Sequence, residues 1–427
     1  MFKVLVIAYY FPPMGLSGVQ RVLKFTKYFS QFNWEPTIIT TDNVGYFAHD
    51  DYLLKEAESI QGKIVRVGGK GINSALSKKG TVKMPSEWLR KFLSSISKTF
   101  FIPDNKKSWS KKAYEKAKEL LSNDEFDAIF ISAPPFSAFS EIAELRDKFN
   151  VPLFVDYRDL WLDNQFAFYL TPYQRYLNKK LEDAALRKAD KVIVVNRRIK
   201  EELIKNYQFL SFEDVMIIPH GFDPKDFENN IVNNEKSNKL KFTYSGSFYE
   251  KITPKYFLRA FKKLTLERPD VAANIELHFV GDFRKENRKL VKKLKLQDYV
   301  FEHGYLTHEH AISKLLESDV LWFMLGNGKN YDTITPGKVF EYFGARKPIL
   351  ACIPDGATKS AAKDYGSIFF TSPENTDEIK NAIININNLF LSGKLPKPNE
   401  EFINKFNRID LTEILTKQFQ FHLKEIL

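Results

Sequence analysis

Short runs of β-branched and other apolar residues recur along this chain between longer stretches of helical periodicity, and that alternation limits the folds open to it. Strands are expected at Lys3–Ala8, Thr37–Thr40, Ile64–Val67, Ala128–Ser132, Leu153–Asp156, Val192–Asn196 and Val215–Ile218. Amphipathic stretches such as Arg21–Gln31 and Ser110–Leu121 lie between them. This is βα repetition, which implies a parallel sheet with right-handed crossovers. A polar, Asn-rich patch from Glu228 to Asn238 interrupts the pattern as a linker or insertion. The pattern then restarts, with strands expected at Leu240–Tyr244, Glu276–Val280, Tyr299–His303, Val320–Met324, Ile349–Ala351 and Ser367–Phe370. A length of 427 residues exceeds the ceiling of about 250–300 residues for one core, so two domains are expected. Their expected bounds are 1–219 and 239–400, with a linker over 220–238 and a last helical segment over 401–427.

Open parallel sheets bind ligands at the C-terminal ends of their strands, and the loops there carry the chemistry. The densest stretch is Thr335–Pro348. Pro336 and Gly337 let the backbone turn, and the amides that open the next helix then face outward, where the helix dipole favours an anion such as pyrophosphate. Lys338 adds a mobile positive charge. Glu341 lies one turn on, roughly 5 Å along the axis, placed to accept hydrogen bonds from a ribose diol. The combination points to a nucleotide. Gly15 and Gly18 follow the first strand, Asp156 to Trp161 the fifth, and Gly246 the first strand of the second half. Each also fits a tight βα turn, which glycine and proline serve equally well; for Gly281-Asp282 the turn is the preferred reading.

The formal charge of +11 suits an anionic partner, whether nucleotide, nucleic acid or membrane surface. No zinc-finger cysteines and no RNP-like strand appear, so nucleic acid is not expected. From Lys78 to Lys118 stand 12 Lys or Arg against three acids, and within that span Trp88, Leu89, Phe92, Leu93 and Ile96 recur at helical spacing. Two readings remain open there: an in-plane helix on an anionic membrane, or an amphipathic helix packed on its own domain. The apolar start Val4–Ala8 is too short to span a bilayer and carries no small-residue cleavage site, so it reads as a first strand. The single cysteine, Cys352, excludes an internal disulfide, fits a reducing compartment and reads as a buried structural thiol. No metal site is expected. No Asp-x-Asp stands at a strand end, Asp50-Asp51 reads as a solvated loop pair, and His308 and His310 would point to different faces of a helix.

Six landmarks in order resemble the group-1 (family-4) glycosyltransferases: Tyr9–Arg21, Ser132–Pro135, Asp156–Trp161, Pro219–Asp223, Tyr244–Tyr249 and Thr335–Pro348. They span nearly the whole chain. The resemblance implies the GT-B fold, an α/β architecture of two Rossmann-like domains facing each other across a central cleft, with the last helix, from about Leu411 to Leu427, packing back toward the first domain. It implies transfer of a sugar from a nucleoside-diphosphate sugar to a lipid-linked or surface-polysaccharide acceptor at the cytoplasmic membrane face, with retention and without metal or cofactor; the Lys78–Lys118 region is the expected membrane contact. Glu341 would hold the ribose. Pro336, the Gly337 amide, Lys338 and Gly246, helped by Lys251, would hold the diphosphate. Gly15, Gly18 and Arg21 would shape the first-domain loop, with Arg158 and Asp159 as catalytic groups facing donor and acceptor.

Four positions depart from the family's usual pattern. Thr333 stands where many members have Glu, Ser247 where they have Arg, Arg158 where they have His, and Leu16 where they have a second Gly. Lys251 or Lys255 can supply the charge that Ser247 lacks. Arg158 and Asp159 are equally readable as a structural ion pair, and Trp161 as a sugar platform or a core residue. Two rival functions share the architecture: a nucleotide-sugar epimerase, and a non-catalytic binding subunit.

Overall fold

The computed structural model describes residues 1–15, 17–42, 46, 48–68, 101–165, 167–228 and 239–426. The amphipathic segment read at 84–101 lies outside these apart from Phe101, as does the Asn-rich patch after Glu228. Two compact units are present: Met1–His220 with Arg408–Leu427, and Gly221–Asn407.

The first unit is built on seven parallel strands: β1 (Phe2–Ile7), β2 (Trp34–Thr41), β3 (Lys63–Val67), β4 (Ala128–Ala133), β5 (Leu153–Tyr157), β6 (Lys191–Val194) and β7 (Val215–Ile217). Their spatial order is β3-β2-β1-β4-β5-β6-β7. Every residue of β4 and β5 is buried, as expected of parallel strands covered on both faces. The connecting helices include α1 (Ser17–Tyr28), α2 (Asp51–Glu58), α3 (Lys107–Asn123), α4 (Ser137–Phe149), α5 (Pro172–Lys188) and α6 (Arg197–Asn206).

The C-terminal helix Arg408–Ile426 completes this core. Phe419 is fully buried, with Phe154, Trp34, Phe29 and Phe130 around it at ring-centroid distances of 4.5, 5.1, 5.9 and 6.0 Å. Aromatic rings bury the largest areas of any side chains and gain further from edge contacts at such separations.

The second unit holds six parallel strands: β8 (Leu240–Ser245), β9 (Ile275–Val280), β10 (Val300–Gly304), β11 (Val320–Met324), β12 (Ile349–Cys352) and β13 (Ile368–Thr371). Their order is β10-β9-β8-β11-β12-β13. Helices α7 (Lys255–Glu267), α8 (Lys285–Leu294), α9 (His308–Leu316), α10 (Gly337–Ala345) and α11 (Thr376–Leu391) pack with them. The core centres on Trp322 of β11, stacked on Phe257 of α7 at 3.9 Å. All thirteen strands stand where the apolar runs predict them, with ends displaced by no more than a few residues.

Several local readings are resolved. Asp50 is not half of a solvated pair: it is buried and caps α2, accepting from the amides of Tyr52 and Leu53 at 3.1 and 3.2 Å, the usual use of an aspartate just before a helix. Trp161 is a core residue, 3% exposed, stacked on Phe136 and donating from Nε1 to Asn178 at 3.0 Å. His308 and His310 diverge: His308 meets Asp226 at 2.8 Å and His310 meets Thr307 at 2.7 Å. Cys352 ends β12, is buried, and its thiol is pushed up to about 12 by that burial.

Replacing Phe419 by Ala is expected to cost about 3–5 kcal/mol of stability, the usual range for emptying an aromatic site in a core. Urea unfolding followed by tryptophan fluorescence measures it. A cost below about 1 kcal/mol would mean that the helix merely rests on the unit.

Candidate functional site

In each sheet, the strand order reverses beside the first strand of the unit. β1 lies between β2 and β4, and β8 lies between β9 and β11. At such a switch point, the two C-terminal loops leave in opposite directions and open a crevice at the strand ends.

In the second unit, the loop after β8 begins with Gly246 at φ +125°, a conformation that side chains with a Cβ rarely adopt. Its amide donates to the Val280 carbonyl at 2.8 Å. A Cβ on Gly246 would collide with Nζ of Lys338, and one on neighbouring Gly281 would lie 2.6 Å from the Gly246 carbonyl oxygen. The backbone is therefore drawn close to the lysine. α10 starts at Gly337 behind an extended Pro336, and no side chain caps its N-terminus. Its first amides and its dipole are left to a ligand.

Tyr342 fixes that helix end against the sheet. Its hydroxyl accepts from the Ser245 amide at 2.8 Å and donates to the Trp322 carbonyl at 3.2 Å, tying α10 to the end of β8 and the middle of β11. Lys338 donates to the Tyr244 hydroxyl at 2.8 Å, and its ammonium lies 4.1 Å from the centre of that ring. Tyr244 in turn donates to the Ser247 carbonyl at 3.2 Å and stacks on Phe248. Burial pushes Lys338 down to about 7, against the pull of Glu341. One turn along α10, the Glu341 carboxylate makes no side-chain hydrogen bond or ion pair among the described residues. Lys251 is exposed, and its backbone packs against Gly326, just past the end of β11. Thr333 turns its hydroxyl to the Asn330 carbonyl at 2.9 Å.

In the first unit, Arg21 is wholly buried. Its guanidinium grips Asp156 of β5 with two nitrogens, Nε at 3.0 Å and Nη2 at 2.7 Å, and reaches the carbonyls of Ile218 and Pro219 at 2.9 Å each. Ser132 donates to the same carboxylate at 2.6 Å. Every oxygen of Asp156 is thus engaged, so this pair shapes the loop region from below and presents no group of its own.

Arg158 stands just beyond β5. It donates to the carbonyls of Ala133 at 3.0 Å, Pro134 at 2.8 Å and Gly18, and lies 5.7 Å from the Tyr10 ring. The loops after β1 and β4 are thereby held to the end of β5. Arg158 and Asp159 form no direct ion pair; the two charges feel each other only at longer range. Burial raises the Asp159 carboxyl above the usual carboxylate range, while Arg158 and a hydrogen bond with Gln165 pull the other way. Gly15 donates its amide to the Ala48 carbonyl at 2.8 Å. Burial, with Arg21, Arg408 and Arg158 nearby, holds His220 well below the ordinary imidazole range, hence neutral at physiological pH.

The site residues thus gather into two groups: Gly246, Lys251, Pro336, Gly337, Lys338 and Glu341 in one unit, and Gly15, Gly18, Arg21, Arg158 and Asp159 in the other. Tyr244, Tyr342 and His220 were not singled out from the sequence. All three sit inside landmark stretches, but nothing in their spacing shows what a hydroxyl or an imidazole would meet.

The family described as Glycosyltransferase Family 4 matches residues 82–226, and that described as Glycosyl transferases group 1 matches residues 226–396. This chain belongs to the group-1 (family-4) glycosyltransferases. No curated protein sequence matches it. Among solved structures, a glycosyltransferase from Rickettsia africae is 17% identical with a TM-score of 0.64, covering 100% of this chain and 98% of its own. A sucrose-phosphate synthase from Thermosynechococcus elongatus is 15% identical with a TM-score of 0.69, covering all of both chains. HepE from Anabaena, solved in complex with UDP, is 13% identical with a TM-score of 0.63, covering 98% of this chain and 100% of its own. With the two parallel sheets, these likenesses establish the GT-B fold, and this glycosyltransferase is an enzyme of that architecture.

Asp156→Asn should destabilise this glycosyltransferase by about 3–5 kcal/mol, because the Arg21 charge is left buried without its counterion. Chemical denaturation tests this; a change near zero would mean that Arg21 finds solvent or another acid.

Proposed function

We propose that this glycosyltransferase takes a sugar from a nucleoside diphosphate held at the N-terminus of α10 and passes it to a lipid-linked or surface-glycan acceptor. The observation that carries the reading is the pairing of a poised lysine and an uncommitted carboxylate on one helix end, at the switch point of the second sheet. Lys338 and the Gly337 amide would meet the diphosphate, and Glu341 would accept from the ribose hydroxyls. HepE, solved with UDP, makes a uridine diphosphate the first donor to test.

Most of the barrier to sugar transfer is the charge that develops on the departing diphosphate and on the sugar ring. Fixed donors aimed at that charge lower the barrier. The ammonium, the helix amides and Lys251 supply such donors, so the reaction proposed needs no metal and would be unaffected by a chelator. We assign retention of configuration by the same family reading. Arg158 acts as a positioning residue, holding Gly18 and the turn after β4. Asp159, whose carboxyl burial pushes up from its ordinary value, is the group we place toward the acceptor.

A thermal-shift screen with UDP, GDP, dTDP and ADP tests the donor site. Ligand at about 100 times its dissociation constant adds about 2.7 kcal/mol, and Glu341→Ala should abolish the shift. No shift with any of the four would remove the donor assignment.

Lys338 also gives binding a pH dependence of fixed sign. Below pH 7 the empty site holds an ammonium; above it, a neutral amine. A bound diphosphate favours the ammonium, so binding above that point takes up a proton and affinity falls by up to about tenfold per pH unit. Calorimetry between about pH 7.5 and 9 should show this slope, and Lys338→Met should flatten it. A pH-independent native affinity would separate Lys338 from the diphosphate.

A further inference from the structure

Exposed apolar side chains concentrate in one short stretch of the first unit. Phe168, Leu170, Tyr173 and Tyr176 are 44, 60, 66 and 60% exposed. They cover the end of the loop after β5 and the first turns of α5. Tyr173 and Tyr176, three residues apart, share a face of the helix and stack with centroids 6.4 Å apart. Lys180 stands one turn further on that face, exposed and with no ion pair among the described residues. Lys179, also exposed, lies 6.0 Å from the Tyr207 ring. Residues 164–181 contain three cations, Arg175, Lys179 and Lys180, and no acid. Arg175 is held by Asp163 at 2.5 Å, so the two lysines carry the free charge.

An apolar cluster rimmed by unpaired cations marks an interaction surface, and its chemistry selects the partner. A second copy of the chain across a two-fold axis would set these lysines against their own equivalents, and the flanking acids Asp163 and Asp183 are already held by Arg175 and Arg187. An anionic lipid surface offers both halves of the match. Its headgroup boundary takes Phe, Leu and the amphipathic rings of Tyr, and its phosphates attract lysine.

We propose that this face docks the protein onto an anionic membrane, with Phe168 and Leu170 entering the headgroup boundary, Tyr173 and Tyr176 lying along it, and Lys179 and Lys180 against lipid phosphates. It is a different stretch of the chain from the basic segment 78–118. Among the described residues no helix is long and apolar enough to cross a membrane. The inference deepens the proposed transfer to a lipid-linked acceptor and takes its purpose from that reading, but the binding is tested without it.

The experiment is flotation of the full chain with vesicles of phosphatidylcholine alone and of phosphatidylcholine mixed with phosphatidylglycerol. Native protein should float with the mixed vesicles. Phe168→Ser, Leu170→Ser, Tyr173→Ser and Tyr176→Ser combined should weaken binding at least about tenfold, and Lys179→Gln with Lys180→Gln at least about fivefold. Melting temperature should be unchanged, since all six side chains are exposed. Native protein that ignores both vesicles, or a quadruple variant that floats as well as native, would overturn the proposal; so would a native dimer that the quadruple variant converts to monomer with no vesicle binding in either. Thermal shifts with UDP, GDP, dTDP and ADP on the same proteins keep the two readings apart. Vesicle binding without a nucleotide shift would leave the docking face standing and remove the donor site.

Discussion

Two pairs of neighbouring parallel strands, β1 with β4 and β8 with β11, set what the rest of this protein can do. Within each pair the strands are hydrogen-bonded in space but far apart in sequence. Their C-terminal loops therefore part in opposite directions, and space opens where backbone amides and side chains are already gathered. Gly246 and Lys338, with Glu341 one turn on, lie at one switch point, and Gly18 and Arg158 at the other.

The two openings handle buried charge in contrary ways. Arg21 has every demand met by Asp156 and two carbonyls, which makes it architecture. Among the described residues Lys338 meets the hydroxyl and the ring face of Tyr244, with the Glu341 charge acting from further off. A cation left with so weak a partner is kept near its titration point and is ready to be completed by an anion. Arg158 stands between these cases, with three backbone carbonyls around a guanidinium whose full charge no carboxylate touches.

Much of the fold was legible in the sequence. Each strand shows as an apolar run, and the Pro-Gly-Lys start of α10, followed one turn later by Glu341, marks the second unit's candidate site without any tertiary information. What escaped depends on contacts between distant positions. Arg21 and Asp156 are separated by 135 residues, and no periodicity links them. The Tyr244 hydroxyl under Lys338 and the Tyr342 bridge between β8 and β11 follow from sheet order, which single-sequence patterns do not contain. Asp50 was misread for a different reason: an aspartate just before an apolar helical stretch is a capping signal, but a second acid beside it gave the pair the look of a solvated loop.

The C-terminal helix has a consequence for how the molecule is made. Phe419 fills a slot lined by Trp34 and Phe154, yet a ribosome emits those residues long before it reaches 419. Throughout that interval the nascent N-terminal sheet carries an unfilled aromatic groove, while Gly221–Asn407, a continuous piece of chain, can finish folding first. The packing of the first unit can therefore be completed only after the whole of the second has been synthesised.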